Sequence, residues 1–420
     1  MNEEYFQIIN DIQPTDFKIS EFPNDRDYLI DNENNIYQVL GYVHPLNSVH
    51  SLLKYKKVDI KLESSQNINL KDFQNFDDPS KPFYWYNRSN NYFYKRVILN
   101  YSTETATKNI QNSIYRKFSE IYGVDFILMP KDQIKYYLNP LKKFQSITNF
   151  FINGKWNAIS KAPEQMRLAS ELGFILEDHF DIPLKYIGVT GSMLWDGLHE
   201  YSDIDIVIYG LENTKKFINI SNQLPIIDKR IRKPSVSELF SIGSKFSMKT
   251  GVPISECIVY SAMKSYLFYY HKYFLSISFC PKEFEIKENP LANPQTKFIN
   301  EQDFSSVTIK ARVIDDSWSL FYPSLTYIND VKILDKNLKN RINPNLIKRI
   351  LVFEKDLTGY YFKGNYISIK GLLQKVENPP LHPLNKVNIL ESNSNNSFYQ
   401  IVIGTSQNFG NEFILNLNTK

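Results

Sequence analysis

The chain has 420 residues, with 42 % hydrophobic and 22 % charged residues and a formal net charge of +4. These fractions are typical of soluble globular proteins, and they exclude a disordered tail protein and a collagen-like fibre. Cys257 and Cys280 are the only cysteines, too few for a disulfide framework, so we expect a cytoplasmic, reducing location. The most apolar stretch, 266–280, is interrupted by His271 and Lys272. It falls short of the roughly 20 apolar residues of a membrane span, so we expect no membrane partner.

The length predicts two to three domains at about 150 residues each. Residues 1–160 contain a probable strand at 36–43, followed by a periodic segment at 104–122 and a strand at 124–129. In that segment Ile110, Ile114 and Phe118 repeat at helical spacing, which predicts one helix ending near Gly123. We therefore expect an N-terminal α+β region over 1–160.

The middle of the chain, 161–290, predicts a mixed sheet flanked by helices. Apolar residues recur at helical spacing from 163 to 180, and short apolar strands are indicated at 184–189 and 204–208. Further helical and strand-like segments follow, at 214–222, 235–249, 255–270 and 274–279. The alternation of helices and strands predicts an α+β core with a mixed sheet.

Beyond residue 300 the pattern changes to alternation with a period of two. Residues 307–313, 366–370 and 399–403 each alternate apolar and polar side chains, with glycines between them. This predicts a β-rich domain over 300–420, an antiparallel barrel or sandwich. A small barrel of the oligonucleotide-binding type is one form that such a domain takes.

The segment 186–210 carries the chemistry. A strand leads into Gly191-Ser192, and ten residues later Asp203 and Asp205 open a second strand. Side chains two apart in a strand lie on one face, about 6–7 Å from each other, so the two carboxylates point the same way. Such a pair suits Mg²⁺ (or Mn²⁺), which binds a few carboxylates together with substrate phosphates. The alternative is structural, an aspartate that caps the start of a buried strand.

The Gly-Ser turn adds groups that bind phosphate. Gly191 lets the backbone approach a phosphate closely, and Ser192 offers a hydroxyl at the start of a predicted helix. Ser202, just before the acid pair, is a further candidate ligand. Together these residues predict binding of a nucleoside triphosphate.

This arrangement resembles the nucleotidyltransferase superfamily with the DNA polymerase β-like fold, over roughly residues 165–285. The form seen here, Thr-Gly-Ser followed by Gly-Leu-His and Ser-Asp-Ile-Asp, is similar to an archaeal group of nucleotidyltransferase-domain proteins. The resemblance implies that Asp203 and Asp205 hold the metal and are catalytic, while Gly191 and Ser192 bind the β- and γ-phosphates. It implies transfer of a nucleotidyl group to a hydroxyl on nucleic acid, protein or a small molecule.

Active members of this superfamily usually place a third carboxylate on a neighbouring strand, and none is evident here. The segment 274–280 has serines where an acid is expected. Asp228 is the best substitute, with the alternative that it is a turn residue before the basic run 229–233. If the third acid is missing, the core is instead an impaired scaffold or nucleotide sensor that docks on a larger transcription or translation assembly.

Overall fold

The computed structural model describes residues 23–58, 84–87, 92–98, 103–154, 159–160, 162–287, 289–291, 296–300, 306–336, 338, 341–379, 397–404 and 411–419. Across these ranges the chain is a mixed α+β protein with three sheets, one in each third of the sequence. No helix in these ranges is long and apolar enough to cross a membrane.

The N-terminal sheet is antiparallel throughout its described strands. Its order is β4-β5-β3-β2-β1-β8, and β7 pairs with β3 and β6 with β7. The strands are β1 (Tyr28–Asp31), β2 (Ile36–Val39), β3 (Ser48–Val58), β4 (Tyr84–Asn87), β5 (Tyr92–Arg96), β6 (Arg116–Ser119), β7 (Val124–Pro130) and β8 (Ile134–Leu138).

The helix predicted over 104–122 is wrong in its second half. Helix α1 (Thr103–Gln111) ends early, and β6 follows as a strand. The helical spacing of the apolar residues gave a wrong prediction here because Ile114 and Phe118 do not form a buried stripe. Their side chains are exposed, at 88 % and 51 %. Pairing with β7 satisfies the backbone of β6, and Gly123 (φ +70°) lies in the turn that connects the two strands. The predicted strand at 124–129 is confirmed.

The central sheet has the order β11-β12-β13-β10-β9. β10 runs parallel to β13 and antiparallel to β9, so the sheet is mixed, as predicted. Its strands are β9 (Ile187–Val189), β10 (Ile204–Tyr209), β11 (Ile231–Arg232), β12 (Phe268–Tyr270) and β13 (Tyr273–Cys280). The predicted first strand is shorter than expected, because Leu184–Tyr186 forms a turn of 3₁₀ helix.

Helices flank this sheet. Those over 164–180, 211–220, 236–250 and 254–263 lie at the predicted places with adjusted ends, and Gly191-Ser192 opens a short helix as predicted, whereas the helices over 140–153, 224–227 and 283–287 were not predicted. In chain order the helices are α2 (Pro140–Asn153), α3 (Glu164–Phe180), α4 (Gly191–Leu194), α5 (Leu211–Ile220), α6 (Leu224–Ile227), α7 (Val236–Thr250), α8 (Ile254–Met263) and α9 (Glu283–Lys287). α7 begins at a capping box in which Ser235 and Glu238 each bind the other's backbone N–H. The helix predicted over 255–270 ends at Met263, and its last residues form β12.

The C-terminal third forms a closed five-stranded barrel. The strands are β14 (Lys297–Asn300), β15 (Val307–Trp318), β16 (Ser324–Ile333), β17 (Ile347–Val352), β18 (Tyr366–Glu377), β19 (Ser397–Ile403) and β20 (Phe413–Asn416). Pairing runs β15-β16-β17-β19-β18 and returns to β15, while β14 and β20 extend β18 outside this ring. Of the two predicted forms, barrel or sandwich, the structure has the barrel. It is not purely antiparallel as predicted, because β17 and β19 are parallel.

One apolar core joins all three sheets. It includes Phe126 of the N-terminal sheet, Ile206 of the central sheet, and Leu351 of the barrel. Aromatic contacts cross the boundaries, with the rings of Tyr42 and Trp318 5.5 Å apart and those of Tyr122 and Phe353 5.9 Å apart. The three parts thus meet around a common centre, beside which the acid pair lies.

Candidate functional site

Strand β10 presents the acid pair as its alternation predicts. Ile204, Ile206 and Ile208 are fully buried on one face. Asp205 points to the other face, and Asp203 directly precedes the strand. The Thr190 N–H donates to the Asp205 carbonyl at 3.0 Å, which extends the β9–β10 ladder to the Gly-Ser turn. β9 and β10 are therefore neighbouring strands.

Gly191 lies against the carboxylate of Asp205. A Cβ atom on Gly191 would stand 1.9 Å from Asp205 Oδ2, and the φ of +64° at this position also favours glycine. Ser192 follows and lines the same cavity as the acid pair. The helix that it opens, α4, has only four residues, so its dipole is small. The groups that this turn offers to an anion are its backbone N–H groups and the Ser192 hydroxyl.

The acid pair is electrostatically unfavourable as it stands. Asp203 is exposed to the cavity, yet desolvation by the surrounding protein, and then the charge of Asp205, raise its pKa to about 7, although Arg96 and Lys245 oppose the shift. A divalent cation between the carboxylates would relieve this repulsion. Two carboxylates fit a cation that takes its other ligands from water and phosphate oxygens, as Mg²⁺ does.

No third carboxylate joins the pair within the described ranges, and no cluster of three or more metal-ligating side chains is found there. The residue of β13 in register with Asp205 is Ser276, which points to the same face and lines the cavity. Asp228 does not take the role considered for it. It accepts hydrogen bonds from Arg230, at 2.7–3.1 Å, and from Tyr270, and these bonds hold its pKa at about 2.

Ser202 lines the cavity, but its side chain also has a structural role. Its Oγ accepts a hydrogen bond from the His199 N–H at 3.1 Å, and its own N–H donates to the His199 carbonyl at 3.0 Å. These bonds close the turn that carries the chain into β10. The hydroxyl of Ser202 keeps its own proton for a further bond.

The acid pair opens onto a cavity of about 690 Å³ that all three sheets line. The N-terminal part contributes Arg26, Trp85 and Arg96, and the barrel contributes Phe353 and Lys355. Sequence reasoning missed these residues. No local pattern distinguishes them from surface or core residues, because their elements are distant from the motif in sequence.

A buried ion pair fixes the loop after the Gly-Ser turn. Lys143 of α2 and Asp196 approach to 2.6 Å, and both side chains are almost fully buried. Asp196 has a φ of +61°, so this residue also makes the sharp turn after α4. The neighbouring Trp195 is fully buried and packs against Tyr55.

The chain is 24 % identical, over 395 residues, to the uncharacterized protein MJ1086 of Methanocaldococcus jannaschii. The alignment covers 93 % of this chain and 97 % of that protein. No family model and no solved structure matches the chain.

Proposed function

We propose that the protein is a Mg²⁺-dependent nucleotidyltransferase whose central domain has a DNA polymerase β-like fold. The donor is a nucleoside triphosphate, and the acceptor is a hydroxyl on nucleic acid, protein or a small molecule. The observation that carries the proposal is the contact between Gly191 and Asp205. It holds one member of a same-face acid pair against a Gly-Ser turn, inside a cavity large enough for a nucleotide.

In this mechanism the chain binds and positions the donor. Gly191 and Ser192 bind the β- and γ-phosphates, while Asp203 and Asp205 hold the divalent cation. When bound, this cation neutralises phosphate charge. The acceptor oxygen forms a bond to the α-phosphorus as the bond to the bridging oxygen of the β-phosphate breaks. Pyrophosphate leaves with that electron pair, and the hydroxyl proton passes to water. Positioning and charge neutralisation supply most of the rate.

Titration of a labelled nucleoside triphosphate, with and without Mg²⁺, tests the proposal. Wild type should bind the nucleotide only with Mg²⁺, and the variant with both Asp203→Ala and Asp205→Ala should not bind it. Asp228→Asn is the matched control, since that carboxylate is bound by Arg230 and is expected to leave nucleotide binding unchanged. Absence of Mg²⁺-dependent binding to wild type at millimolar nucleotide would exclude the enzyme.

The second candidate is a nucleotide sensor or scaffold that docks on a transcription or translation assembly. Ser276 occupies the position beside Asp205 and favours this candidate. A site with two carboxylates still binds a metal and a nucleotide, but it is a weaker catalyst of transfer than a site with three. The five-stranded barrel supports a nucleic-acid partner, since small barrels of this size bind oligonucleotides. Mg²⁺-dependent binding without transfer to any offered acceptor would favour this candidate over the enzyme.

A further inference from the structure

Lys355 belongs to the barrel but contacts the central sheet. It begins a short 3₁₀ helix, Lys355–Leu357, which follows β17. Its Nζ donates a hydrogen bond to Ser278 Oγ on β13 at 2.8 Å. Ser278 lies two residues after Ser276 and therefore on the same face as Asp205. The barrel thus brings an ammonium group to the face of the sheet that carries the acid pair.

Lys355 and the Gly-Ser turn lie on opposite sides of the acid pair. β10 stands between β9, which leads into Gly191, and β13, which carries Ser278. With strands about 4.8 Å apart and alternate residues about 6–7 Å apart, Ser278 is roughly 8 Å from Asp205. If the β- and γ-phosphates occupy the Gly-Ser turn, the α-phosphate lies towards the acid pair, and Lys355 faces it from the β13 side. We place the acceptor on this β13 side, opposite the Gly-Ser turn.

The charge of Lys355 is not neutralised by an ion pair with any described residue. The nearby carboxylates have other partners: Asp25 pairs with Arg26 at 2.9 Å, and Asp356 with Lys249 at 2.8 Å. Lys355 nevertheless lines the cavity that holds Asp203 and Asp205. Burial, and then the charge of Arg26, lower the pKa of Lys355 to about 7, although the charges of Asp25 and Asp356 oppose the shift. An anion in the cavity would favour the charged form of Lys355 and offset the cost of burying it.

The geometry points to Lys355 as a ligand of the α-phosphate on the acceptor side of the donor nucleotide. There it supplies the positive charge that a second metal ion supplies when a third carboxylate stands beside the pair. Ser276 leaves no carboxylate to hold that ion. The inference rests on the proposed function. In this site, one metal ion and the ammonium group of Lys355 together neutralise the phosphate charge.

The test counts bound Mn²⁺ by electron paramagnetic resonance on the full chain, with an α,β-methylene adenosine triphosphate as the probe. Wild type should bind one Mn²⁺ with the analogue. Lys355→Met should weaken analogue binding at least about tenfold, the usual effect of losing a charge-assisted hydrogen bond. Lys355→Arg should recover most of it. The combined variant Ser276→Asp with Lys355→Met should bind two Mn²⁺.

Lys264→Met is the matched control. This lysine is also buried beside the same acidic segment, where its Nζ donates to the Asp356 carbonyl at 2.9 Å, but it does not line the cavity. Its loss should leave analogue binding within twofold of wild type.

Two Mn²⁺ ions in wild type, or unchanged affinity in Lys355→Met, would overturn the inference and leave the proposed function standing. Failure of wild type to bind the analogue with Mn²⁺ would overturn both. These outcomes separate the role of Lys355 from the function on which it depends.

Discussion

Gly191 and Asp205 are in direct contact, because the backbone of Gly191 occupies the space beneath the Asp205 carboxylate. A methyl group there would overlap Oδ2, at 1.9 Å. The Gly-Ser turn and the acid pair are therefore one structural unit, and a change in the turn displaces a candidate metal ligand.

We expect Gly191→Ala to abolish Mg²⁺-dependent nucleotide binding. The added Cβ moves Asp205, and the positive φ adds a backbone cost of about 1 kcal/mol. Gly364→Ala is the matched control, since Gly364 also has a positive φ (+96°) but has nothing within 4 Å of an added Cβ. Nucleotide titration and thermal unfolding of both variants check this. Equal loss of binding in the two variants would contradict a specific role for the Gly191–Asp205 contact.

Asp203→Asn should stabilise the metal-free protein at pH 8. The raised pKa of Asp203, about 7 against 3.8 in an unfolded chain, means that ionisation costs the folded state stability as pH rises from about 4 to 7. Removing the charge recovers that loss of stability. The gain is limited to roughly 1 kcal/mol, because solvent in the open cavity screens the charge. Denaturant unfolding at pH 8 and pH 4 checks it. A variant no more stable than wild type at pH 8 would contradict it.

The pair formed by the half-buried His44 and the fully buried His50 should make the protein less stable in mild acid. His44 Nδ1 and His50 Nδ1 are 3.1 Å apart, and burial lowers the pKa of His44 to about 3 and that of His50 below its usual range. A lowered histidine pKa withdraws stability as pH falls below about 6.5, by up to about 2 kcal/mol per histidine at pH 5.

Comparing the stability of wild type and His44→Asn at pH 7 and pH 5 separates the contribution of His44 from those of buried carboxyl groups such as Asp27. The pKa of Asp27 is raised to about 8 by burial, so it changes stability in the opposite direction. The wild type should lose more unfolding free energy than the variant between the two pH values. Equal losses would show that His44 takes up its proton equally in the folded and unfolded states, and would contradict a lowered pKa in the folded protein.

Lys143→Met should destabilise the protein by about 3–5 kcal/mol, because it leaves the buried carboxylate of Asp196 without its cation. Adding Asp196→Asn should recover a large part of that loss. Asparagine tolerates the positive φ of this position, so the turn itself is kept. Denaturant unfolding of the two single variants and the double variant gives the coupling energy. Additive losses would rule out a coupled pair.

The sequence by itself determined the local parts of this protein. Alternation in β10 places three isoleucines inward and Asp205 outward, and the order of strand, Gly-Ser turn and strand indicates that β9 and β10 belong to one sheet. Period-two alternation likewise predicted β15, β18 and β19 of the barrel, but not β16 and β17. These features are recoverable because the period of side-chain exposure is a local property of a strand or helix.

Only the tertiary structure decided which distant residues share the cavity. β6 is a strand despite its helical spacing because β7 offers its backbone a partner. Asp228 is unavailable because Arg230 and Tyr270 bind it. Lys355 reaches Ser278 because one core joins the barrel to the central sheet. Such contacts depend on the relative position of whole sheets, which the packing of apolar faces sets and no local pattern of residues encodes.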